Sequence, residues 1–251
     1  MIARKNRYAI DLMREAGKRL AQVFEKIQVK QLAGMTTKQL DQFLEQELKQ
    51  AGLHSECRGY GHPPFPAVSC ISVNDVIVHG IPGSELLKEG DLLTVDICAS
   101  YNGYCADMAR TYFVGNPPSE KAKKLVDAAQ TALDAGIDKA RVGNRLTDIS
   151  HAIQQVVESH GFGVVRDFAG HGIGKKMHED PEILNYGKPG RGPLLEEGMA
   201  FALEPMITLG GYAVKMDADK WTARTADRSL AAHVEDTVIV TAQGPEITTR
   251  L

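Results

Sequence analysis

The sequence predicts an α+β fold of two pseudo-symmetric halves, each an antiparallel sheet covered by helices. Three observations carry this. The order helix, helix, strands occurs twice. A His-Gly-Ile, then Glu-Gly, an apolar strand and a carboxylate recur in the same order in both halves. Pro117-Pro118-Ser119 punctuates the chain between them. The 251 residues are read as a single domain, 1–251, with duplicated halves of about 1–118 and 119–251.

Ile10, Met13, Gly17, Leu20, Phe24 and Ile27 recur at three- and four-residue steps, which predicts a first helix with one apolar face. Gly34 breaks it. Thr36 or Thr37 caps a second helix carrying Leu40, Phe43, Leu44 and Leu48 on one stripe, and Gly52 ends that helix. Residues 59–66 hold three prolines, so they form a loop or a mouth rather than a helix or central strand. Val68 to Val78 and Leu92 to Cys98 read as strands. Helices are expected at 119–139 and 147–160, the second capped by Thr147, and strands with Gly and Pro punctuation follow Gly161 and Gly163. Val78-His79-Gly80-Ile81-Pro82-Gly83 corresponds to Gly170-His171-Gly172-Ile173-Gly174. The segment Glu89 to Asp96 corresponds to Glu197 to Glu204, at a larger separation, so the second copy carries an insertion.

Composition removes several classes of function. The chain is 43% hydrophobic and 24% charged, as ordinary globular proteins are. Lys and Arg total 29 against 32 Asp and Glu, so no bulk positive field exists for dedicated nucleic-acid binding. No uncharged apolar run approaches the ~18 residues of a membrane span, and charges at Arg4, Lys5, Arg7, Asp11 and Arg14 break any signal-peptide core. Cys57, Cys70, Cys98 and Cys105 show no C-x-x-C spacing, which points to a reduced, cytoplasmic protein. A monomer is expected.

The carboxylates carry the chemistry. Asn102-Gly103 is a strong hairpin-turn signal. With that turn Asp107 faces Cys98, and Asp96 shares their face two residues away, so the two aspartates become diagonal neighbours about 7–8 Å apart. Cys98 and Cys105 fall on the same side of the hairpin. Glu204 matches Asp96 in the repeat, and Glu235 lies in the alternating run from His233 to Val240. If the halves pack about a pseudo-two-fold axis, four carboxylates converge. Such a group cannot stay ionised in a core without cations. Two divalent ions balance it, with His171 as the nitrogen ligand, and a carboxylate-rich site with imidazole suits Mn, Fe, Co or Zn. His233, two residues before Glu235, is expected on the same face as a second donor shell behind the ligands.

At these residues the sequence resembles the type I methionine aminopeptidases, metallopeptidases of the pita-bread fold, over essentially its whole length. The motifs are His79-Gly80-Ile81-Pro82, Val95-Asp96-Ile97, Asp107 with Arg110-Thr111, Gly170-His171-Gly172-Ile173-Gly174, His178-Glu179-x-Pro181, Glu204-Pro205, Trp221-Thr222, Asp227-Arg228-Ser229 and Glu235-Asp236-Thr237. The resemblance implies a single catalytic domain that removes the initiator methionine from nascent polypeptides with a small second residue. It implies Asp96, Asp107, His171, Glu204 and Glu235 as ligands of two divalent metal ions (Co, Mn, Fe or Zn), with Asp107 and Glu235 bridging. By the same resemblance the ions would supply an acidified water as the nucleophile for the scissile carbonyl. It implies Glu204 as the proton shuttle, His178 as donor to the oxyanion, and His79 as the residue that binds the substrate amide and helps the leaving amine.

Phe65, Cys70, Met177 and Trp221 occupy the methionine-pocket positions. Met177 stands where the family usually has Phe, and a His-Pro-Pro-Phe-Pro segment replaces a Tyr-rich loop, so selectivity is expected to survive but loosen. His54, His62, His151 and His160 read as solvated loop residues. The basic N-terminal helix (Arg4, Lys5, Arg7, Arg14, Lys18, Arg19) could touch the ribosome transiently, although a solvated face explains it more simply. The alternatives are a related Xaa-Pro peptidase and a non-catalytic pita-bread binding module. No second His follows His178-Glu179 at zincin spacing, and no phosphate-binding Gly loop is present.

Overall fold

The apolar stripe of the first segment forms helix α1 (Arg7–Gln28), burying Met13, Leu20, Phe24 and Ile27. The structure is a computed structural model and describes residues 2–28 and 30–251. Gly17 is required in α1 by close approach, since a Cβ there would lie 2.4 Å from the Thr248 carbonyl oxygen. Helix α2 (Thr37–Gln50) is capped by Thr36. Its hydroxyl accepts the Gln39 N–H at 3.1 Å, while the Gln39 amide oxygen accepts the Thr36 N–H at 2.8 Å. Ser119 caps α3 (Glu120–Lys139).

Helix α4 (Leu146–Ser159) starts before the expected Thr147 cap. The Asp148 carboxylate accepts the Arg145 N–H at 2.7 Å and draws the helix start back, while Thr147 donates to the Arg191 carbonyl at 3.0 Å. His151 therefore lies in α4, and His54 lies in the short strand His54–Ser55, rather than in loops.

The expected strand from Val68 to Val78 divides into Cys70–Val73 and Val76–Val78. Asn74 sits between them at φ 56°, and its side chain is tied to Asp91 and to the Leu92 N–H. Strands Leu92–Tyr101 and Tyr104–Phe113 form a long hairpin, with Cys70–Val73 and His54–Ser55 paired to its first strand. A five-stranded antiparallel sheet runs Gly244–Ile247, Asp236–Thr241, Ala200–Leu203, Ala169–Gly172, Glu179–Leu184. Residues 59–66 carry no strand or helix, as the prolines require.

Helices α1 and α2 cover the hairpin sheet through a cluster including Leu20, Phe24, Leu44, Val95 and Ile97. Helices α3 and α4 cover the five-stranded sheet through Leu133, Ile149, Ile153, Phe201 and Val238. A seam joins the sheets. Ala109 and Glu235 exchange backbone hydrogen bonds of 3.3 and 3.0 Å. The Thr237 hydroxyl accepts the Asp107 N–H at 2.8 Å and donates to the Asp107 carbonyl at 2.9 Å. Arg110 crosses the same seam to the Asp236 carboxylate at 2.6 Å. Both sheets therefore deliver side chains to one place.

Candidate metal centre

Asn102 (φ 47°) and Gly103 (φ 78°) make the turn, and the register pairs Cys98 with Asp107 and Asp96 with Ala109, as the turn signal requires. Asp96 and Asp107 thus share one face of the hairpin. His171 comes from the strand Ala169–Gly172, held opposite Ala202. Glu204 follows directly on the strand Ala200–Leu203, where Pro205 interrupts pairing. Glu235 is fixed by its bridge to Ala109.

These side chains meet at the floor of a cavity of about 120 Å³. That is far more than the roughly 10–15 Å³ one water needs. The His171 Nε2 atom lies 3.5 Å from Glu204 Oε1 and 3.8 Å from Asp107 Oδ2. Ligand atoms of Asp107, His171 and Glu235 lie within 4.8 Å of one another, as do those of Asp96, His233 and Glu235. Glu235 belongs to both groups.

The electrostatics favour a cation. Burial raises the affinity of Asp107, Glu204 and Glu235 for a proton well above the carboxylate norm, and the neighbouring carboxylates raise it further. Burial raises Asp96 as well. The same burial holds His171 neutral, its pKa lowered to about 3, as a metal-ligating imidazole must be. Among the described residues, Asp107 Oδ1, Glu235 Oε1 and both ring nitrogens of His233 are buried without a hydrogen-bond partner. A carboxylate oxygen left buried and unpartnered costs several kcal/mol unless a cation joins it, roughly the penalty of an unpaired buried charge. The residues present therefore fit divalent ions.

The cavity wall is apolar and aromatic. Phe65 and Trp221 meet edge to face at 5.3 Å, Trp221 Nε1 donates to the Pro63 carbonyl at 2.9 Å, and Cys70 and Met177 complete the lining. Trp221 thus pins the 59–66 loop over the floor. His79 adopts φ 59°, uncommon for a side-chain-bearing residue, and its ring packs on Phe168 and Trp221. Burial lowers its pKa to about 4, with His233 and His178 adding to the effect. His178 stands at the rim, its ring 4.2 Å from that of His171.

Two lining residues escaped the sequence reading of the cavity: Cys57 and Tyr60. Tyr60 matters most, since its hydroxyl lies 2.6 Å from His178 Nδ1. The sole signal for it was a tyrosine inside the Gly- and Pro-rich loop. Hairpin parity had placed Cys98 on the metal-facing side, and it does face the cavity. His233 reaches its expected neighbourhood by a different path. The chain bends at Val234 and Glu235, and the strands Ala231–His233 and Asp236–Thr241 belong to different sheets. Of the basic N-terminal residues, Arg4, Lys5, Arg14 and Arg19 pair with Glu196, Glu179, Glu246 and Glu15.

Buried carboxylates and imidazole, gathered at a seam between antiparallel sheets under an apolar wall, define the class: a metal-dependent hydrolase of the pita-bread fold. The chain belongs to metallopeptidase family M24, whose profile matches residues 11–242. It is 50% identical over 250 residues to a methionine aminopeptidase of Clostridium perfringens, covering 99% of this chain and 99% of that one. A crystal structure of methionine aminopeptidase from Thermotoga maritima matches with TM-score 0.96 and 39% identity, covering 100% of both chains. A prolidase from Pyrococcus furiosus shares the fold at TM-score 0.79 and 22% identity, with 99% of this chain and 65% of that chain covered. Divalent-metal dependence accompanies the family.

Proposed function

We propose that this chain is a metal-dependent methionyl aminopeptidase that removes the N-terminal methionine of new polypeptides, preferring a small second residue. The observation that carries this is the meeting of Asp96, Asp107, His171, Glu204 and Glu235 beneath the wall of Phe65, Cys70, Met177 and Trp221. Those five residues would hold two divalent ions, drawn from Mn, Fe, Co and Zn. The ions would supply Lewis-acid polarisation and an acidified water. Glu204, at the edge of the floor, takes and returns a proton. The Tyr60 hydroxyl lies within hydrogen-bond distance of His178 Nδ1; a hydroxyl that donates there would leave the proton of neutral His178 on Nε2, to donate to a developing oxyanion. His79, neutral and held by Phe168 and Trp221, binds the substrate amide. A free α-amino group is a donor that one of the ions would accept and a mid-chain amide nitrogen is not, and a chain terminus alone provides it.

The two helix-covered sheets are read as duplicated halves of one catalytic domain, meeting near residue 118. The four free, buried thiols fit a reducing compartment such as the cytoplasm. No helix is long and apolar enough to cross a membrane among the described residues. A monomer is the simplest state. Ribosome contact through the N-terminal helix would draw first on Arg7 and Lys18, which are exposed.

Release of the first residue from Met-Ala-Ser, Leu-Ala-Ser and Nle-Ala-Ser, with Mn, Fe, Co or Zn, tests the function. Met should be cleaved fastest and Nle next, since unbranched Met177 yields to an unbranched neighbour. Exhaustive chelation should stop release. Equal rates for Met and Leu, or cleavage after chelation, would refute it.

A further inference from the structure

We infer that His233 is itself a metal ligand, the nitrogen donor to the ion that Asp96 and Glu235 would hold. The inference rests on the metal-centre reading above and adds a residue to it. The His233 side chain is 1% exposed, and neither ring nitrogen has a hydrogen-bond partner. An imidazole buried without partners forfeits the water it gave up, so the ring needs a ligand of its own.

The distances select which ligand. His233 Nε2 lies 3.7 Å from Glu235 Oε2 and 4.0 Å from Asp96 Oδ2. Both exceed the ~3.2 Å limit of an N–H···O bond, so the ring is not orienting either carboxylate by donating to it. Both fall below ~4.2 Å, the most that separates two donors each about 2.1 Å from one ion. The three donors therefore surround one ion-sized space.

The backbone is fixed independently of any ion. The Thr111 hydroxyl accepts the His233 N–H at 3.1 Å and donates to its carbonyl at 2.7 Å, which ties the residue to the hairpin bearing Asp96. The Pro205 carbonyl is near the ring but makes no hydrogen bond of normal geometry with it. Each carboxylate pair would then have one imidazole, His171 on one side and His233 on the other. Such a donor set suits Zn, Fe and Co better than Mn.

Zinc X-ray absorption on the full chain counts imidazoles directly, and equilibrium dialysis counts ions. Wild type loaded with zinc should show about one imidazole for each ion. Both His233→Gln and His171→Ala should lose about half the imidazole scattering, and the double variant nearly all of it. If His171→Ala alone abolishes the scattering, His233 is no ligand and the inference falls while the metal centre stands. A chain that takes up no divalent ion overturns both. Should His233→Gln fail to fold, wild type and His171→Ala still decide the matter.

Discussion

The hairpin Leu92–Phe113 and the five-stranded sheet deliver donors to the same cavity by different routes. Asp96 and Asp107 lie on one continuous hairpin whose tight turn fixes their register, so local backbone geometry alone puts them on one face. His171, Glu204 and Glu235 come from separate strands and strand ends, and the seam at Ala109 and Glu235 brings them to the aspartates. The first region is preorganised by sequence-local contacts. The second depends on two sheets docking correctly, which makes the seam the point where the centre is assembled.

The largest expected effect tests whether both routes matter equally. Asp107→Ala on the hairpin and Glu235→Ala on the seam should each cut metal uptake and kcat/KM by more than about 100-fold, beyond the roughly 10–100-fold that an outer partner costs. Metal content by elemental analysis checks it, and wild-type loading in either variant would remove that residue from the centre.

A smaller effect separates floor from rim. His178→Ala should lower kcat by about 10²–10³-fold with metal content unchanged. Tyr60→Phe, which removes the hydroxyl beside Nδ1, should cost about tenfold and shift the pH–rate profile. Loss of metal in either variant would place the rim among the ligands.

The smallest effect concerns stability. Asp96, Asp107, Glu204 and Glu235 hold protons more tightly folded than unfolded. The metal-free fold therefore loses stability as pH rises from about 4, where unfolded carboxylates ionise, through the raised folded values. Metal cancels the repulsion, so the gap in melting temperature between loaded and metal-free protein should widen with pH by several degrees, at roughly 2–4 °C per kcal/mol. Circular dichroism melts with and without chelator measure it, and a gap constant from pH 4 to 8 would show that these groups are not the cation's ligands.

Much of the fold was readable in order. The stripes of α1 and α2, the Ser119 cap and the Asn102-Gly103 hairpin all follow from local rules, because each depends on neighbours a few residues away. The misread starts have the same origin. Asn74 splits a strand by adopting a left-handed conformation tied to Asp91 and Leu92, and α4 begins early through an Asp148 contact that competes with the Thr147 cap. Tyr60 was overlooked because its partner, His178, is distant in the chain.

Residue types and spacing alone set the helices, the hairpin register and the inventory of carboxylates and imidazoles, since periodicity and turn chemistry act over short range. Which of those donors share a cavity, and that His233 faces Asp96 and Glu235 across a bend between two sheets, followed from the seam. Packing of distant strands fixes such distances, and no local rule encodes them.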